Sequence, residues 1–374
     1  MSPPTEPPSE GPAAWRDATQ QQDLHARDLL LRHGWNSTSY QIMNPDMQHW
    51  FSPDGEALVG YVQHFGLRVA AGAPVAEYGR LPLVAQRFEA DAHRRGLITC
   101  YFGVELRWLE LVGRRSAAVQ VGAQPVWDAG DWAAAVEGHA SLRAQFNRAR
   151  NKGVRVERRR ASALAPGQPI AHELRELRQV WAAAHGLPPL GFLTGMELWP
   201  RSAAPDSPFS SDRRLYVALQ ESRVVAYLVA SPIPLRRGWL VEQVVRHPRA
   251  PNGASELLID SAMRDLAAAG AGRLTLGLSP LSRRHSPDDG VRRDGPPWLR
   301  LAFAWARAHG RRFYDFAGLE AFKAKFWPRA WEPVYLVADG DRFGMRTLLA
   351  VAAAFTRGRP FTTLAQGVVR TFRR

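Results

Sequence analysis

Twice along this sequence a helical stretch stops at a glycine and passes at once into a β-rich run. LPLVAQRFEADAHRRG (81–96) leads into LITCYFGVE, and ASELLIDSAMRDLAAAG (254–270) leads into RLTLGLSP. Apolar residues recur at helical spacing in both stretches, and a glycine at the end can take the left-handed conformation that closes a helix. Short extended runs precede each one. WFSPDGEALVGYVQHFGLRVAAGAPV (50–75) is broken by Pro53-Asp54-Gly55 and Phe65-Gly66; RRLYVALQESRVVAYLVASPI (213–233) turns at Glu221-Ser222 and is followed by GWLVEQVVR (238–246). Aligning RGLITCYFG (95–103) with AGRLTLGLS (271–279) shows the same order with little identity. The order specifies an α/β class with mixed sheets, and its recurrence implies a duplicated unit; two unrelated α/β halves are the alternative.

A length of 374 residues exceeds one ordinary core and suits two units of about 150 residues. Five prolines among Ser, Glu and Gly predict a disordered tail over 1–14. The first unit is expected over 15–165, opening with a helix from Asp17 to His33, and the second over 166–340. A basic amphipathic region, 341–374, closes the chain. Two long polar loops, 200–214 and 282–297, interrupt the second unit, and the latter is placed to close over a site at the end of LTLGLSP.

Composition removes several function classes. With 45% apolar and 22% charged residues the chain is neither disordered nor fibrous, and its one thiol, Cys100, forms no internal disulfide. No Cys/His spacing fits a metal, and no P-loop or Ser/His/Asp motif occurs. A reducing cytoplasm is expected. The apolar run LLAVAAAF (348–355) is far short of a membrane span, so the chain is expected to be soluble or to rest on a membrane surface. The net charge of +14 favours polyanionic partners, and the charge is clustered. Between Arg143 and Arg160 eight basic residues meet one acid; Arg143, Arg148, Arg150, Lys152 and Arg155 offer point charges suited to an RNA backbone. Arg342, Arg346, Arg357, Arg359, Arg370, Arg373 and Arg374, mixed with apolar residues, have the composition of an interfacial helix on anionic lipid, or of a helix docked on the protein body.

Two segments are candidates for chemistry. In WLVEQVVRHPRAPNGASE (239–256) a strand runs through a Pro/Gly turn into a helix whose first-turn N–H groups could hold an anion. The glycine of an acetyl-coenzyme A loop is displaced here, with Asn252 in its place and Gly253 one position late. Glu242 and Arg246, four apart, would share a face of an extended strand and hold a polar substrate, or form an ion pair within the sheet. The second segment is FYDFAGLEAFKAKFWPRAWEPVYLV (313–337). Only Lys152, Lys323 and Lys325 are lysine among 49 basic residues, so two of three fall in FKAKF. An ammonium, with its compact charge and tunable pKa, is implied there. The pair would share a face of a strand or stand about 200° apart on a helix.

Taken together, WFSPDG with AGAPV, VRHPRAPNGASELLI, and YDFAGLEAFKAKFWP with WEPVYL resemble the C-terminal synthase domain of the phosphatidylglycerol lysyltransferases, or multiple peptide resistance factors, over Ser37 to Ala338. The resemblance implies a tandem acetyltransferase-like (GNAT) fold and transfer of a lysyl or alanyl group from aminoacyl-tRNA to a lipid headgroup hydroxyl such as that of phosphatidylglycerol. It implies no metal or other cofactor, a place at the inner face of the cell membrane, and translocation left to a separate flippase. By resemblance Glu242, Arg246, Lys323 and Lys325 are catalytic, and Gln243, Asn252, Gly253, Glu256 and Tyr335 contact substrate. Gln243 stands where many relatives carry an Asp. An acyl-coenzyme A-dependent N-acyltransferase and a noncatalytic RNA- or membrane-binding relative are the alternatives.

Overall fold

The computed structural model describes residues 12–112, 117–160, 168–185, 191–195, 209–282, 284, 298–299, 301, 303, 315–340 and 343–358. Helix α1 (Pro12–His33) buries Ala26, Leu29 and Leu30 completely. It begins earlier than the sequence suggested, so Pro12, Ala13 and Ala14 belong to the helix and not to a disordered tail; residues 1–11 lie outside the described set. Proline suits a first helical turn because its missing N–H has no partner there anyway.

The first unit continues with β1 (Gln48–Phe51), β2 (Leu58–His64), β3 (Leu67–Ala71), α2 (Leu81–Arg94), β4 (Ile98–Val104), α3 (Leu106–Val112) and β5 (Ala118–Asp128). Helices α4 (Trp132–Glu137) and α5 (Ala140–Asn151) lead to β6 (Arg155–Arg159) and α6 (Pro169–His185). After α6 come α7 (Phe209–Asp212), β7 (Arg214–Gln220), β8 (Arg223–Ile233), β9 (Gly238–Arg246), α8 (Ala254–Ala268), β10 (Arg273–Thr275), β11 (Ser279–Pro280), α9 (Phe316–Ala324), β12 (Ala330–Ala338) and, past the bound expected for the second unit, α10 (Met345–Phe355).

The expected repeat is present. β2 and β3 are antiparallel, α2 crosses over, and β4 returns parallel to β3. In the same way β8 and β9 are antiparallel, α8 crosses over, and β10 returns parallel to β9. Gly96 and Gly270, just past the two helices, have φ of +69° and +85°. All strands join one sheet in the order β1-β2-β3-β4-β12-β5-β10-β9-β8-β7-β6, with β11 paired to β5. The two units exchange strands. β5 follows β4 in the chain yet pairs with β10, while β12, from the end of the second unit, lies antiparallel between β4 and β5.

Both sheet faces are covered by apolar packing. α2 sets Leu81, Val84, Ala85 and Phe88 on Tyr101, Trp108 and Tyr335, and α8 buries Leu257, Leu258, Ile259, Met263 and Leu266 against Leu228, Val241 and Leu274. α10 packs Ala350 and Ala354 into the cluster holding Leu58 and Val69. This segment is therefore docked on the protein body through that face, the second of the two readings its sequence allowed. Arg346 donates to the Phe65 carbonyl at 2.6 Å and Arg357 pairs with Asp46 at 3.0 Å. Arg342, Arg359, Arg370, Arg373 and Arg374 lie outside the described residues.

Gly253 shows why the turn before α8 needs a glycine. Its φ is +92°, and a Cβ there would sit 2.1 Å from the Gln145 carbonyl oxygen of α5. Gly270 has a similar φ of +85° but nothing within 4 Å of the added carbon. Gly253→Ala therefore meets both backbone strain and a collision with main chain, and Gly270→Ala the strain alone. We expect urea denaturation to show a loss of about 2–4 kcal/mol for the first and about 1 kcal/mol for the second.

Candidate active site

The sheet opens at β9. β10 accompanies it only where Arg273–Thr275 face Gly238–Leu240; from Val241 onward the register gives β9 the single neighbour β8. Thr275 fixes the divergence, donating from Oγ1 to the Pro125 carbonyl at 2.8 Å and accepting from the Gly277 N–H at 3.0 Å. Gly277 turns with φ +68°, and a Cβ on it would lie 2.9 Å from Leu240 Cδ1. The chain then joins β5 through β11.

On the β9 arm a bulge re-aims the side chains. Ala230 pairs with Val241 and Val229 with Gln243, leaving Glu242 as the extra residue. Two consecutive polar side chains are buried as a result. Glu242, 2% exposed, accepts from Arg213 Nε at 3.1 Å and from the Ser231 hydroxyl. Arg213 also donates to Asn44 Oδ1 at 2.8 Å, tying the second unit to the first. Gln243 Nε2 donates to the Gly195 carbonyl at 3.1 Å. The Oε1 atoms of Glu242 and Gln243 are buried without a hydrogen-bond partner among the described residues, as is Ser279 Oγ on the other arm. Buried polar atoms are rarely left so, and the two Oε1 acceptors suit a hydrogen-bond donor from outside the chain.

The other arm carries Lys323. α9 starts at Asp315, whose Oδ1 accepts from the Gly318 N–H at 3.0 Å, and Phe322 and Phe326 pack beside α8. Lys323 Nζ donates to the carbonyls of Gly277 and Leu278 at 2.8 and 2.9 Å. Among the described residues no carboxylate forms an ion pair with it. Full burial without a counter-charge pushes its pKa down to about 7. A neutral amine has two N–H bonds and one lone pair; two carbonyls can occupy the first and leave the second available. Lys325, at the end of α9, pairs with Glu256 in the first turn of α8 and lies 4.3 Å from the Phe322 ring centre.

The predicted residues thus divide. The helical alternative holds for Lys323 and Lys325, whose separation around α9 sends them to different partners. The expected pairing of Glu242 with Arg246 does not occur: the bulge breaks the strand alternation, and Arg246 donates to the Ala250 carbonyl at 3.4 Å instead. Asn252 is exposed in the turn, and Gly253 serves the approach of α8 to α5. Tyr335, on β12, is buried in the cluster under α2 and α3. Arg143, Arg148, Arg150, Lys152 and Arg155 are all exposed along α5 and the start of β6. The loop 282–297 lies outside the described residues apart from Ser282 and Arg284. Sequence reasoning missed Arg213, Ser231, Asn44 and Ser279. None carries a motif, and only the register of β8 against β9 brings Ser231 to Glu242.

The low pKa of Lys323 makes stability depend on pH. The unfolded chain holds that proton near the ordinary 10.5 and the folded chain near 7, so between these values the unfolded state binds more protons. Stability from this group therefore rises with pH across that window, and the full cost of burying the ammonium is present below it. Relative to the native protein, Lys323→Met is expected to gain most in stability at pH 6, with the gain shrinking toward pH 10. Urea denaturation of both proteins at several pH values measures it; a constant difference would contradict the shift.

Comparison with known proteins agrees with this architecture. The sequence matches the family "Phosphatidylglycerol lysyltransferase, C-terminal" over residues 27–338. It is 24% identical over 348 residues to the lysylphosphatidylglycerol biosynthesis bifunctional protein LysX of Mycolicibacterium gilvum, covering 91% of this chain and 30% of that one. It is 23% identical over 320 residues to the phosphatidylglycerol lysyltransferase of Bacillus subtilis, covering 84% and 35%. The chain spans about a third of the length of these curated relatives. In fold it is similar to the solved structure of L-PGS from Bacillus licheniformis, with a TM-score of 0.67, 20% identity, and coverage of 94% of this chain and 96% of that one. With the family pattern extending over most of its length, the chain belongs to the phosphatidylglycerol lysyltransferase C-terminal family.

Proposed function

We propose that the protein transfers an aminoacyl group, of lysyl or alanyl type, from aminoacyl-tRNA to a hydroxyl on the headgroup of an anionic lipid such as phosphatidylglycerol, at the inner face of the cell membrane. The observation that carries this reading is Lys323, buried on α9 against the Gly277 and Leu278 carbonyls where β10 leaves β9, with its pKa near neutrality, in a chain of this family. A base poised near the working pH combines the correct protonation state with useful driving force.

In the proposed reaction the lipid hydroxyl attacks the ester carbonyl while the Lys323 amine takes the hydroxyl proton. The new ester C–O bond forms, the bond to the terminal ribose of the tRNA breaks, and the departing ribose oxygen takes the proton from the ammonium. One ester replaces another, so the donor's own activation drives the step. The unpaired Oε1 atoms of Glu242 and Gln243 would receive the ammonium of the aminoacyl group. Arg213 holds Glu242 in place, and Lys325 with Glu256 secures α9 on α8. Positioning and fixed dipoles would supply the remaining acceleration.

The coenzyme A reading fares worse for a physical reason. Glu256 places a carboxylate in the first turn of α8, where a pyrophosphate would need free N–H groups and positive charge. The exposed arginines of α5 and β6 supply the sequence-independent charge that tRNA binding needs.

The direct test incubates purified protein with labelled aminoacyl-tRNA and phosphatidylglycerol vesicles. Label is expected in the lipid extract and absent after RNase; no labelled lipid while the tRNA still binds would refute the lipid acceptor. Corrected for spontaneous donor hydrolysis, the rate is expected to rise with pH and level off above about 7, because the neutral amine is the active form. Lys323→Arg keeps the charge and loses the base, so its rate is expected to fall about 100-fold or more and to lose that limb. A noncatalytic binder would be indifferent to the change. Replacing Arg148, Arg150 and Arg155 by Ala is expected to weaken tRNA binding uniformly across tRNA species. The slope of affinity against salt is expected to fall by about one for each phosphate that is no longer neutralised.

A further inference from the structure

Phenylalanine is an unexpected occupant of the turn between β2 and β3. His64 pairs with Leu67, so the loop has two residues, Phe65 and Gly66, with φ of +50° and +71°. Two left-handed residues in succession suit Asn-Gly, and a bulky side chain is strained in the first position. Burial does not compensate, since Phe65 is 43% exposed. Neither the backbone nor the core asks for this ring, and a residue that breaks a local rule without a packing gain marks a surface with another use.

Two further apolar side chains are exposed beside it. Ile98, at the start of β4, is 41% exposed; it pairs with Leu67, and its N–H donates to the Gly66 carbonyl at 3.2 Å. Met345, the first residue of α10, is 62% exposed. The next residue, Arg346, donates to the Phe65 carbonyl at 2.6 Å and lies over Gly66, where an added Cβ would collide with its Nη2. Single exposed apolar residues are ordinary, but these three stand on segments joined by hydrogen bonds and form one tip. Arginines flank it: Arg94 and Arg95 at the end of α2, shortly before Ile98, and Arg346 are all exposed. The acids nearby have partners of their own. Asp91 pairs with Arg68, Arg94 and Arg95, Asp339 with the His93 ring, and Glu89 accepts from the Tyr101 hydroxyl at 2.9 Å. Gly358 reaches the same place, since a Cβ on it would lie 3.4 Å from the ring of His64. From Phe343 to the C-terminus the sequence holds six arginines and no acid.

We propose that this tip docks on an anionic bilayer surface, with Phe65, Ile98 and Met345 entering the boundary between headgroups and acyl chains and the arginines meeting lipid phosphates. Apolar insertion combined with positive charge supplies the two signals that stable peripheral binding needs. Strand polarity gives the docking a purpose. β4 starts at the tip; β12, β5 and β10 are successively antiparallel, and β9 is parallel to β10, so β9 runs toward the end of the sheet at which β4 starts. The β9 arm, without β10 beside it from Val241 onward, opens toward that same end. The inference rests on the proposed transfer reaction and deepens it by naming the face turned to the lipid.

Co-sedimentation of the full chain with phosphatidylglycerol vesicles, without tRNA, tests the docking apart from the reaction. Binding is expected to be about tenfold or more tighter than to phosphatidylcholine vesicles. Phe65→Asn is expected to weaken it about threefold to tenfold while the urea midpoint stays level or rises, because asparagine suits the turn; a ring kept for stability would show the reverse. Adding Ile98→Thr and Met345→Gln is expected to bring the loss to about 30-fold or more, with the urea midpoint confirming that the triple variant is folded. Transfer to a short-chain phosphatidylglycerol below its micelle concentration needs no bilayer and reads the reaction separately. Loss of vesicle binding in the triple variant would support the docking even where the native protein transfers nothing to that soluble lipid, a result that counts against the reaction alone. Equal vesicle binding by the native protein and the triple variant, or no preference for the anionic lipid, would overturn the proposal. Self-association of the native protein without vesicle binding would also overturn it and assign the face to a second copy of the chain.

Discussion

Strand β12 between β4 and β5 is the pairing on which the rest of the molecule depends. It holds Tyr335–Ala338 against β4 on one side and, on the other, runs along β5 from Ala330 to Val337. The same placement positions the chemistry. α9 immediately precedes β12, and its end is tied to β5 by Trp127 Nε1 donating to the Phe326 carbonyl at 3.0 Å and the Arg329 N–H donating to Val126 at 3.0 Å. β5 in turn pairs with β10 and β11, the segment whose carbonyls receive Lys323. The amine and its two acceptors are therefore registered on one shared strand, and a slip of that strand by one residue would move both.

The interior treats its charges in two ways. Glu242 with Arg213, and Glu105 with Arg236, are buried as pairs, and each carboxylate also accepts a neutral hydrogen bond. A buried pair of this kind contributes little net stability but fixes which groups lie together, since removing one partner leaves an expensive unpaired charge. Lys323 is handled differently, since no carboxylate among the described residues forms an ion pair with it. The consequence is a pKa lowered to about 7 by burial.

Much of the fold was legible because local signals and global order agree. The two Gly-terminated helices, the turn at Glu221-Ser222 and the strand GWLVEQVVR occur as their spacing suggests, since amphipathic period and turn residues act over a few positions. The rarity of lysine marked Lys323 without any alignment. What escaped was long-range: the exchange of β5 and β12, and the approach of Arg213 and Asn44 to Glu242, are set by pairing between distant segments that leaves no local trace. The failed pairing of Glu242 with Arg246 has a similar origin, because one extra residue in a strand reverses every alternation beyond it. The docking of α10 shows the converse: an apolar face with flanking arginines reads alike whether lipid or β2 and β3 lies beneath it.

The shared strand also governs how the chain can be made. β4 ends at Val104, but its neighbour in the sheet begins at Ala330, so the first unit emerges from a ribosome with one edge open until the chain has grown past that residue. In the finished sheet β5 does not close that edge, because its own edge on that side is taken by β12. Such an edge presents unpaired main-chain groups to any extended segment nearby, the usual opening for misassembly. Completion of either half is thereby deferred until β12 has been made, so two stretches that read as separate units in the sequence finish folding together.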